Sequence, residues 1–122
     1  MKIVTLAFIL LFATLIAVIV NSAILTSVIT DIYDEVNEID DTIPELARVG
    51  YEKAYEKYSR YYSFISLTVN HEDLTDIENS FAEIIGAATA QDTDAVITIK
   101  SRLLSALLHL RRLSGINLDS VF

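Results

Sequence analysis

The chain has 122 residues, which fits one domain, and carries 17 acids against 9 lysines and arginines for a net charge of −8. An acidic surface without a basic stripe repels phosphate backbones, so nucleic acid is not among the expected partners. Cysteine is absent, which removes disulfides, thiolate zinc sites, cysteine nucleophiles and a lipoprotein cysteine anchor together.

The hydrophobic fraction of 52% is concentrated in the first two dozen residues, with a second apolar concentration near the C-terminus. From Ile3 to Val20 there is no charge, and only Thr5 and Thr14 carry polar groups. As a helix at ~1.5 Å per residue this run is about 27 Å long, close to the hydrocarbon thickness of a bilayer. It therefore reads as a transmembrane anchor over residues 1–25. The competing reading is a signal peptide cleaved near Ser22 to release a soluble bundle, since "VIVNSA" holds Val20 and Ser22 at tolerable positions. The length of the run and the helical pattern that continues past it favour the uncleaved anchor.

Lys2 and the N-terminal amine flank one end of the run, whereas Asp31, Asp34, Glu35, Glu38, Asp40 and Asp41 follow the other before Arg48 appears. Because the positive-inside rule counts lysine and arginine, the expected topology is single-pass in the cell membrane. The N-terminus is then cytoplasmic and the C-terminal domain extracytoplasmic. Ala13 and Ala17 have a spacing used in helix pairing, but it is common by chance in apolar helices.

Beyond the anchor, Leu25, Val28, Ile32, Val36, Ile39 and Ile43 recur at steps of three and four, with acids opposite. That stripe predicts that the helix leaving the membrane continues as the first helix of the domain. Asp41 or Thr42 with Pro44 could start a new helix, or Pro44 could kink the existing one. "ARVG", ending at Gly50, is the more natural turn. A second helix then carries Tyr51, Tyr55, Tyr58, Tyr62, Ile65 and Val69 on one stripe, with Glu56 and Arg60 as an i,i+4 pair off it.

A third helix fits Leu74, Ile77, Phe81, Ile84, Ile85 and Ala88. "ATAQDTD" breaks the pattern, and Asp92 or Thr93 can cap a fourth helix carrying Val96, Ile99, Leu103, Leu107 and Leu110. Ile97, Leu104 and Leu108 widen its apolar face, as expected of a helix buried on more than one side. Arg111 and Arg112 suit its last turn, and Gly115 is a natural C-cap. The expected fold is all-α, with a transmembrane helix continuing into a small antiparallel bundle of three to four helices over residues 26–115. Residues 116–122 form a tail.

His71, Glu72, Asp73, Asp76 and Glu78 are the one cluster that looks like chemistry. His71, Thr75 and Glu78 would share a helix face, but transition-metal sites want three or four ligands and His109 is far along the chain. A cap explains the cluster better: Asn70 suits an N-cap, Asp73 stands at capping-box distance, and acids complement the helix dipole. His71, Glu72 and Glu78 are thus candidates for a structural corner or an interaction site, and no cofactor is expected. Tyr51 and Tyr58 fit a bundle core, a recognition surface or a membrane-interface belt, with the core favoured by their regular spacing. Tyr61, off the stripe, is the tyrosine expected to be most exposed. With three glycines, no phosphate-cradling loop and no Ser-His-acid logic, the chain does not read as an enzyme.

The stretches "GYEKAYEKYSRYYSFISLTVNHEDLTDIENSFAEI" and "DTDAVITIKSRLLSALLHL" resemble a bacterial family of unknown function. Its members are short, membrane-anchored helical proteins found mainly in clostridia-like Gram-positive bacteria. Gly50, Glu52, Lys53, Ala54, His71, Glu72, Ile77, Glu78 and His109 match its pattern, while Tyr51 and Tyr58 stand where the family favours tryptophan. The likeness spans about residues 24–113 and implies a fold type and a membrane location, not an activity. The expected role is a protein-interaction or scaffolding module that binds another membrane or envelope protein or self-associates. A small extracytoplasmic sensor or ligand-binding bundle working through a partner is the alternative.

Overall fold

The apolar run and the three-four stripe that follows it form a single unbroken helix, α1 (Lys2–Asn37), of 36 residues. At ~1.5 Å per residue it is about 54 Å long, so it can serve two environments. A computed structural model of the chain describes residues 2–67 and 69–119, with side chains as far as residue 113. It continues with α2 (Pro44–Arg60), the short α3 (Tyr62–Ser66), α4 (His71–Thr89) and α5 (Thr93–Asp119). No strand occurs among the described residues.

The two halves of α1 differ. None of residues 2–20 is buried, and Phe8, Leu11 and Phe12 are each about two-thirds exposed. From Ser22 onward one face enters the core through Leu25, Val28, Ile29, Ile32 and Val36. This half of α1 packs against α2 and α5, and α4 completes the ring by packing against the same two helices. Lys57 of α2 lies beside Asp31 and Glu35 of α1, Lys100 of α5 reaches Ile39, and Arg102 of α5 pairs with Glu83 of α4. Successive long helices are therefore antiparallel, giving an up-down-up-down bundle.

Each boundary has a local cause. Between α1 and α2, Asp40 Oδ1 accepts hydrogen bonds from the Thr42 backbone N–H (3.0 Å) and hydroxyl (2.6 Å). Pro44 then opens α2 in the first turn, where its missing N–H costs nothing. The turn is thus before Pro44, and the one expected at "ARVG" does not occur. Gly50 instead lies inside α2, where a Cβ would stand 3.0 Å from Ile39 Cγ1. The glycine serves a close approach between chain segments, not a change of direction. Ile43, expected on the α1 stripe, is the exposed residue before α2.

At the other junctions, the side chain of Asn70 accepts from Glu72 N–H at 3.2 Å and caps α4, and Asp92 accepts from Ala95 N–H at 3.2 Å and caps α5. α4 ends in a Schellman turn: Asp92 N–H donates to Ala87 O (3.0 Å) and Gln91 N–H to Ala88 O (3.1 Å). Closing it requires a left-handed residue, and Gln91 takes φ 60°. α5 does not stop at Gly115 but continues to Asp119, so the C-cap expected there is absent and part of the expected tail is helical. A glycine inside a helix costs only about 1 kcal/mol, which does not end a helix by itself.

The core is made of the expected stripes with one rotation. Leu74, Ile77, Phe81, Ile84 and Ala88 of α4 and Val96, Leu103, Leu107 and Leu110 of α5 are buried. Ile97 is 55% exposed instead of widening that face. In α2 the buried set is Ala47, Tyr51, Ala54 and Tyr58, so Tyr55 is displaced outward. Both registers obey the three-four rule; the small side chains at Ala47 and Ala54 let the helix approach its neighbours on that side.

Candidate functional site

The aromatic stripe converges on the α2–α4 contact. Tyr58 lies 5.9 Å from Phe81 and 6.2 Å from Tyr62 between ring centroids, and Tyr55 lies 5.4 Å from Phe81. These tilted and edge-on arrangements are the favoured ones for aromatic pairs. Tyr58 is 1% exposed and directs its hydroxyl to Leu74 O at 3.4 Å. Burial, reinforced by the charge of Glu78, pushes its phenol well above the ordinary tyrosine range. Tyr51 and Tyr58 are therefore core, not a docking surface. Tyr61 is half-buried against the core, and Tyr55, at 38% exposure, is the exposed tyrosine instead.

The corner at the start of α4 is open. His71 is exposed, and its backbone carbonyl accepts from the Thr75 hydroxyl at 3.0 Å. Glu72 is exposed, and Glu78 is half-buried on the Tyr58 side. Asp73 stands 3.6 Å from His109 Nε2, which ties the start of α4 to the far end of α5. Among the described residues no three histidine or acidic side chains come together as a metal site would require. The arrangement caps α4 and joins it to α5.

A second polar cluster lies at the opposite end of the bundle. Asp41 is held on both carboxylate oxygens: Tyr51 donates to Oδ1 at 2.5 Å and Lys100 to Oδ2 at 3.0 Å. Lys100 also donates to Ile39 O at 2.8 Å, so one ammonium ties α5 to the connection that follows α1. The lysine and aspartate side chains are each 14% exposed. Burial, then the hydrogen bond and the charge of Asp41, push the Tyr51 phenol far above its ordinary value. The cluster's sequence signal is Lys100 itself, a cation adjoining the apolar face of Val96, Ile99 and Leu103. Its partners in the preceding connection gave no signal.

A surface groove of about 350 Å³ lies between α4 and α5, lined by Asp76, Asn79, Ser80, Glu83, Arg102 and Ala106. The Arg102–Glu83 ion pair lies in its wall. No family model, no curated protein and no solved structure matches the chain, so its function rests on its own residues.

Proposed function

We propose that the chain is a single-pass membrane protein whose helical bundle stands at the extracytoplasmic face and scaffolds or binds another envelope protein. One observation carries the membrane part: α1 is long and apolar enough to cross a bilayer, and its apolar half is exposed while the same helix continues into the core. Exposing that much contiguous apolar surface to water is costly, and a hydrocarbon phase removes the cost. A continuous buried core and side-chain caps on α4 and α5 suit a rigid module that presents surfaces. The likeness to membrane-anchored helical proteins of Gram-positive bacteria belongs to the same reading.

Topology is tested with a single cysteine at Gln91, an exposed position in the α4–α5 turn of a chain without cysteine. An impermeant maleimide added to intact cells should label Gln91→Cys, and the protein should stay in the membrane after alkaline extraction. Labelling only after lysis would reverse the orientation. Mature protein beginning near residue 23 would end the anchor reading. Crosslinking in the native membrane then identifies the partner or a second copy. A ligand-binding bundle working through a partner is the second reading, favoured by the polar α4–α5 groove.

A further inference from the structure

We propose that the α2–α4 connection is a second membrane contact, with Tyr61, Tyr62, Phe64 and Leu67 lying in the headgroup layer of the bilayer that α1 enters. The inference rests on the membrane reading of α1 and adds a site to it. Its first support is placement. Lys57 sits beside Asp31 and Glu35, and the chain runs antiparallel to α1 from there. α2 ends at Arg60 and residues 61–67 follow at that end of the bundle; at ~1.5 Å per helical residue, continuing in the same direction would bring Leu67 about level with residue 23 of α1. At that level α1 changes character: Val20 is exposed, Ser22 and Leu25 are buried. The connection thus faces the plane in which the apolar half of α1 begins.

Its second support is chemistry. Residues 61–67 carry no charge. Leu67 is 83% exposed beside half-buried Tyr61, Tyr62 and Phe64, a mixture of apolar body and polar tip suited to the interface. The third support is the contrast between the two ends of the bundle. The far end is acidic, with Glu38, Asp40 and Asp41 before α2 and Asp92 and Asp94 around the α4–α5 turn. The near end balances Arg60, Arg111 and Arg112 against Glu72, Asp73 and Asp76 at the start of α4. An anionic leaflet therefore repels the first end and not the second.

The chain has no tryptophan, so a single introduced indole reports its own surroundings. The full chain, carrying Leu67→Trp, is reconstituted in phosphatidylcholine–phosphatidylglycerol vesicles containing lipids brominated near the headgroup. Leu10→Trp, read in parallel vesicles whose lipids are brominated deep in the acyl chains, reports the anchor, and Leu46→Trp, 59% exposed at the far end of the bundle, is the control. The proposal expects quenching of roughly twofold for Leu67→Trp and none for Leu46→Trp, as for an interfacial segment against a solvated one. Quenching of Leu10→Trp with Leu67→Trp as unquenched as Leu46→Trp would overturn the contact while leaving the anchor. Failure of Leu10→Trp to quench would remove the membrane reading itself. A blue-shifted but unquenched Leu67→Trp would mean a protein surface covers the connection, and would also overturn the proposal.

Discussion

Replacing Lys100 with methionine tests whether the bundle's far end is locked electrostatically. The substitution keeps most of the side-chain volume and removes the ammonium that bonds Asp41 at 3.0 Å and Ile39 O at 2.8 Å. Asp41 retains only the Tyr51 hydroxyl, at 2.5 Å, and remains a carboxylate largely screened from water. Removing one partner of a fully buried ion pair costs about 3–5 kcal/mol, and the residual 14% exposure of both side chains puts this one at about 2–4 kcal/mol. For a bundle of this size that lowers Tm by roughly 10–20 °C. The assay is thermal unfolding of the full chain in detergent, followed by the near-ultraviolet signal of the tyrosines, which all lie outside the exposed apolar half of α1.

A companion variant separates charge burial from lost packing. Asp41→Asn in the Lys100→Met background leaves no unpaired charge and keeps an oxygen to accept from Tyr51. It should recover most of the loss. Tyr51→Phe alone, which deletes one hydrogen bond to a charged group without opening a cavity, should cost about 1.5–3 kcal/mol. If Lys100→Met lowers Tm by only a degree or two, or if Asp41→Asn restores nothing, the cluster is a solvated surface pair and the reasoning is wrong.

Gly50 and Gly86, both inside helices, give opposite expectations. Gly86→Ala meets nothing within 4 Å and should stabilise the fold by about 0.5–1 kcal/mol in denaturant unfolding. The same change at Gly50 places a methyl 3.0 Å from Ile39 Cγ1 and should lose most of that gain, so equal gains would refute the close approach. Gln91→Gly relieves the left-handed backbone at the end of α4 and should raise stability by about 0.5–1 kcal/mol; a loss would show that Gln91 makes a contact that offsets the strain. Tyr51 and Tyr58 stay protonated in the fold to higher pH than in the unfolded chain. Above about pH 10 the unfolded state therefore binds fewer protons than the folded one, and stability falls as pH rises further. Unfolding midpoints measured from pH 8 upward should be flat and then drop, with a shallower drop in Tyr51→Phe.

The parts of the fold that follow from spacing alone were legible. Leu25, Val28, Ile32 and Val36, or Leu74, Ile77, Phe81 and Ile84, must share a helix face whatever lies opposite. Asn70 and Asp92 were legible as caps for the same local reason. Gly50 misled because its usual meaning is conformational, whereas here it is steric and depends on Ile39, which approaches only once α2 has folded back. Tyr55 misled because two overlapping three-four registers run through α2. The choice between Tyr55 and Ala54 for the core depends on how closely α4 approaches, not on α2 itself. The Asp41–Tyr51–Lys100 cluster was invisible because residues 41 and 100 meet only through the tertiary fold.

The same distinction bears on how α1 works. Its two halves are apolar for different reasons, and periodicity separates them. Residues 3–20 are apolar all round, which no amphipathic bundle helix needs and a lipid-facing helix does. Residues 25–36 confine their apolar side chains to one stripe and place Asp31, Asp34 and Glu35 off it. Because the backbone stays helical across the change, the bundle cannot rotate about the helix axis independently of residues 3–20. Any tilt of α1 in a bilayer is passed directly to the bundle, and a contact on its near face would resist that tilt. A short flexible insertion, such as three glycines between Ala23 and Ile24, uncouples the two halves. It should leave the core intact while loosening the orientation of the bundle, measurable as broadened distances from a spin label at Gln91 to the membrane surface.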